Sequence, residues 1–162
     1  LAALEGRTTL DGPARAACVA RLERPAPRVA LGIALRGVAS GMLDVSDGLT
    51  GDVGHMLEMS RAGAVIDLAA IPRSDALDRK LRGAERVLAL QCLLAGGDDY
   101  ELLFAAPAAT RERVAEAGRR AGVPVSRIGR IVESAGLTVV DEQGAPLAAL
   151  PRAFDHFATG RP

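Results

Sequence analysis

Short apolar runs of strand length alternate with stretches of helical period along this chain, and Gly or Pro marks the changes. Residues 38–43, 64–68, 100–105 and 125–131 read as strands, with Pro72 closing the second. Leu49, Val53, Met56 and Leu57 recur at helical spacing. Residues 84–95 read as an apolar helix stopped by Gly96-Gly97. Thr110 is an N-cap candidate for a helix through Val114, Ala117 and Ala121. Ahead of the first strand, Gly12-Pro13 opens a helix that runs through Leu22 and stops at Arg24-Pro25-Ala26-Pro27. A short helix through Val29, Ile33 and Ala34 follows, ending near Gly37. Near the end, residues 137–140 and 146–150 flank Asp141-Glu142-Gln143-Gly144, a hairpin turn. Elements in this order predict a layered α/β or α+β domain, and 162 residues suffice for one core.

Composition narrows the chemistry. Formal net charge is zero and aromatics make up 2%, so neither a whole-surface attraction for polyanions nor a stacking platform for single strands is expected. No apolar run approaches the roughly 20 residues of a membrane span, and no basic segment leads into an apolar one as in a secretory signal. The opening Leu1-Ala2-Ala3-Leu4-Glu5-Gly6 reads as the end of a helix capped by Gly6, so the start of a longer chain is expected to be missing. Cys18 and Cys92 lie far apart and outside any CxxC, so they are expected to stay reduced. Lys80, the sole lysine, is followed by Leu81, so no Walker-type phosphate loop exists; GxSxG and HExxH are absent as well.

Three segments can carry chemistry. In the first, residues 43–55, an apolar strand gives way to a helix through Asp44-Val45-Ser46-Asp47-Gly48, with Asp52 and His55 close behind. Ligands bind outside the carboxyl ends of strands, and hard carboxylate oxygens there suit Mg²⁺ bridging to phosphate. A helix cap with an Asp-Gly turn accounts for Ser46 or Asp47 equally well, but not for Asp44 at the strand end. The second segment, Gly96-Gly97-Asp98-Asp99-Tyr100-Glu101-Leu102, brings two acids behind a glycine pair that lets a ligand approach the backbone. Taken alone, it is also a helix C-cap followed by a solvated turn. The third is the tail Phe154-Asp155-His156-Phe157, whose rings can equally pin the tail to the core.

In order and spacing these segments resemble the thiamine-monophosphate kinase family. Its D-x-S-D-G-L-x-x-D-x-x-H pattern is met from Asp44 to His55, and its I-D-L-x-x-x-P-x-S-D-A-L pattern from Ile66 to Leu77. G-G-E-D-Y-E-L is met from Gly96 to Leu102 with Asp98 in place of Glu, and the aromatic-D-H-F tail from Phe154 to Phe157. Arg24-Pro25-Ala26-Pro27-Arg28 looks like the family's Pro-rich lead-in, so the likeness runs from about Arg21 onward.

The resemblance implies an α+β fold: a three-layer α/β/α sandwich with a mixed sheet and partial ferredoxin-like character, like the carboxy-terminal domain of aminoimidazole ribonucleotide synthetase. Residues 1–162 would be the substrate-side domain of a two-domain, homodimeric, cytoplasmic enzyme, with its own amino-terminal nucleotide domain outside the chain. That enzyme moves the γ-phosphoryl of ATP directly onto thiamine monophosphate, with Mg²⁺. Carried over by position, Asp44 and Asp47 are implied Mg²⁺ ligands, Ser46 an ATP contact, and Asp98 and Phe154 thiamine contacts. Asp52, Asp99, Tyr100 and His55 are given supporting roles, and no residue of the chain a catalytic one. Two other readings stay open: another ATP-using enzyme of the group that includes selenide water dikinase, and a non-catalytic binding domain of the same fold.

Overall fold

The computed structural model describes residues 1–151; Phe154 and the rest of the tail motif lie outside the described residues. Helix α1 (Gly12–Glu23) starts where Asp11 accepts a hydrogen bond from the Ala14 N–H and Pro13 stands in the first turn. It buries none of its residues, and exposed ion pairs tether its two ends: Asp11 to Arg79 at 3.6 Å and Arg21 to Glu101 at 3.7 Å. The rest follows in the order α2 (Val29–Ala34), β1 (Gly41–Asp44), α3 (Leu49–Ser60), β2 (Gly63–Asp67), α4 (Asp75–Leu81), α5 (Arg86–Ala95), β3 (Leu102–Ala105), α6 (Arg111–Ala121), β4 (Gly129–Val132) and β5 (Gly136–Val140).

The architecture is α+β with a mixed sheet. Among the described residues the strands form two groups. β1 pairs with β3 antiparallel; β2 sits between β4, antiparallel, and β5, parallel. Strand β3 lies between two helical layers, because alternate side chains of a strand point to opposite faces. Leu103 packs with the larger core of α3, α5, β2 and β5, built on Val53, Leu57, Ile66, Leu94 and Val139. Leu102 and Phe104 pack the other way, against Leu31 of α2, Leu35 just after it and Ala117 of α6. Helix α3 is thus held between the larger core and the end of β1, where the first motif begins.

Several elements differ from the sequence expectation. The first strand is shorter than residues 38–43: Val38 is buried but lies in a turn that closes α2, its N–H bonded to the Leu35 carbonyl. Residues 125–128 do not join the last helix-linked strand, which covers only Gly129–Val132. Val125 and Ile128 are apolar because they pack into the two cores. The hairpin shrinks to a single bridge, Val140 to Pro146, since proline offers no N–H to extend a ladder. Asp141 holds that turn by accepting from the Gln143 and Ala145 N–H groups at 3.0 and 2.8 Å. Helix α4, not anticipated, is capped by Ser74, which accepts from the Leu77 N–H. Residues 1–8 form turns and not a helix end, with Gly6 at φ 74°. Both cysteines are free and exposed, and no helix among the described residues is long and apolar enough to cross a membrane.

Candidate functional site

The first motif turns sharply between β1 and α3, and a buried carboxylate shapes it. Asp52, only 5% exposed in the first turn of α3, accepts hydrogen bonds from the Ser46 and Asp47 N–H groups at 2.9 and 3.1 Å. The carboxylate thus ties the turn ahead of the helix back onto its first turn. Gly48 takes φ 104° and ψ 150°, a region open essentially to glycine. A β-carbon added there would lie 2.7 Å from the Ala95 carbonyl carbon. Asp44 is exposed at the end of β1, Ser46 and Asp47 are half-buried in the turn, and His55 is exposed further along α3.

The second motif is laid against this turn, backbone to backbone. The Asp98 N–H donates to the Ser46 carbonyl at 3.0 Å, the Tyr100 N–H to the Val45 carbonyl at 2.9 Å, and the Val45 N–H to the Glu101 carbonyl at 2.9 Å; beside them the Thr50 side chain donates to the Leu94 carbonyl in α5 at 2.9 Å. Gly97 packs on the Ser46 carbonyl so closely that any side chain would overlap it. Here the chain accepts strain: Asp98 and Tyr100 adopt left-handed conformations, with φ 65° and 50°. Such backbone costs a residue with a bulky side chain about 1–2 kcal/mol. Asp98, Asp99 and Tyr100 are all exposed.

Ion pairs set the electrostatics of this loop. Arg28 donates from Nε and a terminal nitrogen to the two oxygens of Glu101 at 2.7 and 2.6 Å, tying the loop to the Pro-rich lead-in to α2. The Arg28 guanidinium holds the Glu101 carboxyl below its ordinary range, and Glu101 in turn raises Arg28. Asp99 behaves oppositely. Although the residue as a whole is exposed, partial desolvation of its carboxyl, then repulsion from Glu101, raises its pKa, with Arg21 pulling it back and Asp98 adding to the rise.

Among the described residues no three His, Cys, Asp or Glu side chains converge to enclose a metal ion. The donors at the turn still fit Mg²⁺, which is held through one or two carboxylates together with phosphate oxygens and water; Asp44 and Asp47 are the candidates. Two surface clefts of about 240 and 490 Å³ lie elsewhere, the first lined by Thr9, Lys80 and Glu85, the second by Arg36, Arg113 and Arg120.

The family described as AIR synthase related protein, C-terminal domain, matches residues 4–142. The chain belongs to this family. Within the AIR synthase related C-terminal domains it is similar to the thiamine-monophosphate kinase of Escherichia coli strain K12, with 42% identity over 137 residues, 84% of this chain and 41% of that protein. It is also similar to the crystal structure of thiamine-monophosphate kinase from Stenotrophomonas maltophilia K279a, with TM-score 0.71 and 41% identity over 82% of this chain and 41% of that one. A structure of AaThiL complexed with AMPPCP and TMP superposes with TM-score 0.71 and 27% identity, covering 95% of this chain and 45% of that one. The chain therefore spans about two-fifths of the length of such relatives, 41% in the Escherichia coli case.

The structure brings Ser46, Asp47, Asp98 and Tyr100 into one two-loop unit, with Asp44 at its edge. Sequence reasoning did not show what Asp52 and Arg28 do. For Asp52 a signal existed: an acid in the first turn of a helix that has no side-chain N-cap. The pairing of Arg28 with Glu101 spans 73 positions and left no local trace.

Proposed function

We propose that this chain is the substrate-side part of an ATP-dependent kinase that converts thiamine monophosphate to thiamine diphosphate. The observation that carries the proposal is the backbone clamp joining the two motif loops, which sets a phosphate-side turn beside an acidic loop suited to a cation. The Escherichia coli relative bears that enzyme's name, and AaThiL was solved with AMPPCP, an analogue of ATP, and with TMP.

In this reading Asp44 and Asp47 hold Mg²⁺, Ser46 contacts ATP, and Asp98 and Phe154 contact the thiamine moiety. Bound there, Mg²⁺ neutralises charge that develops on the transferred phosphoryl group. An oxygen of the substrate phosphate forms the new bond to the γ-phosphorus in line, the bond to the β-phosphate oxygen breaks, and ADP leaves. Asp52 keeps Ser46 and Asp47 aimed without a conformational search, the kind of preorganisation that phosphoryl transfer depends on. The remaining nucleotide and metal ligands come from the amino-terminal part of the longer, homodimeric protein. The reaction runs in the cytoplasm, where ATP is available.

Calorimetric titration of thiamine monophosphate and of AMPPCP into the full-length protein tests this. Asp98→Ala is expected to weaken thiamine monophosphate binding and leave AMPPCP binding intact, while Asp44→Asn and Asp47→Asn raise the Mg²⁺ requirement for turnover. Failure of the full-length protein to bind thiamine monophosphate overturns the assignment and leaves a binding domain for something else.

A further inference from the structure

Two aromatic residues fall among the described residues, and they are used differently. Phe104 packs against the core beside α2 and α6. Tyr100 belongs to neither core and keeps 39% of its surface exposed. It does so on left-handed backbone, φ 50°, that a glycine would adopt without penalty. Strain held at a named position, without a packing reward, marks a candidate for function.

The strain fixes the position of the ring. The Tyr100 N–H is bonded to the Val45 carbonyl at 2.9 Å, next to the turn that carries Ser46 and Asp47. The phenol hydroxyl reaches Asp98 Oδ1 through a long contact of 3.4 Å. In sequence the ring is flanked by Asp98, Asp99 and Glu101, and the two arginines that reach the loop, Arg21 and Arg28, both engage Glu101 and not Asp98. Asp98 is left as the carboxylate in contact with the phenol. An electron-rich face among carboxylates attracts a cation and repels a phosphate.

We propose that Tyr100 is a substrate-contacting residue whose ring stacks on the cationic heteroaromatic part of the substrate, with Asp98 as its neighbouring counter-charge. The proposal rests on the reading of this chain as the thiamine side of the kinase and adds to it a further residue that helps distinguish a thiazolium-bearing phosphate from a plain phosphate ester. The clamp to Val45 sets the distance between the ring-binding end and the phosphate end.

The test uses the full-length protein with Tyr100→Phe and Tyr100→Gly, titrated with thiamine monophosphate and with AMPPCP and followed by thermal melts. Tyr100→Phe keeps the ring and is expected to bind both ligands like the wild type. Tyr100→Gly is expected to bind thiamine monophosphate roughly two- to thirtyfold more weakly, the range of a single cation–π contact, with AMPPCP affinity unchanged. Its melting temperature should stay within a few degrees of wild type, because relieved strain offsets the freedom glycine adds to the unfolded chain. Unchanged thiamine monophosphate affinity in Tyr100→Gly overturns the proposal. Equal losses for both ligands, or a large fall in melting temperature, overturn it in favour of a structural role. Wild-type protein that ignores thiamine monophosphate sinks the functional reading itself and this proposal with it.

Discussion

The two loops of the candidate site are ordered by opposite means. The turn after β1 is relaxed: its unusual conformation falls on Gly48, and the Ser46 and Asp47 N–H groups donate to the buried Asp52 carboxylate. The loop before β3 is strained at Asp98 and Tyr100 and is held by bonds to its neighbour and by the Arg28–Glu101 pair. The contrast follows the ligands proposed for each. Mg²⁺ and phosphate tolerate little positional error and are served by a turn with one stable shape. A heteroaromatic ring needs side chains thrust outward, and left-handed backbone at alternate residues provides that at a cost of about 1–2 kcal/mol per bulky residue.

If this division is right, damage to the seam should disturb both loops, and damage inside one loop should stay there. The largest effect is expected for Gly48→Ala, which meets a glycine-only conformation and the Ala95 backbone together. Strain and overpacking suggest a loss on the order of 2–6 kcal/mol, read from denaturant midpoints, with weaker binding of both AMPPCP and thiamine monophosphate. A loss confined to one ligand would mean that the loops are not mechanically joined. Next in size is Asp52→Ala, which removes the acceptor of two hydrogen bonds and should cost about 1–3 kcal/mol. Asp52→Asn keeps an acceptor oxygen and should recover part of that stability, and in both variants turnover and Mg²⁺ dependence should suffer more than thiamine monophosphate affinity. The smallest effect belongs to Glu101→Gln. The Glu101 pKa is lowered in the folded state, chiefly by Arg28, so its stabilisation is complete above the ordinary value of 4.5 and fades as pH falls through the lower folded value. With the carboxylate 43% exposed, the gain at neutral pH is about 0.2–1 kcal/mol, and the variant should show a flatter acid limb in melts taken from pH 6 downward.

The sequence was most readable where local chemistry decides the outcome. Gly12-Pro13 announces α1, and Gly96-Gly97 ends α5. It was least readable where apolar character serves packing and not a ladder: Val125 and Ile128 look like strand residues and are core plugs. Helix α4 is too short and too polar for periodicity to reveal, and only Ser74 hints at it. At the site, the order of motifs indicated the family and singled out the two loops, but not that the Ser46 carbonyl receives the Asp98 N–H, since backbone contacts between distant segments leave no mark on side-chain pattern.

The seam between the loops also limits how such a site can change over time. A tight contact with a neighbouring side chain can be rescued by trimming that neighbour. Gly97 rests on the carbonyl of Ser46, and Gly48 on the backbone at Ala95, atoms that every amino acid possesses. Saturating position 46 in a Gly97→Ala background, or position 95 in a Gly48→Ala background, should therefore yield no suppressor, and only reversion of the glycine itself should restore the site. These glycines would be fixed in the lineage by a contact that has no partner able to co-vary.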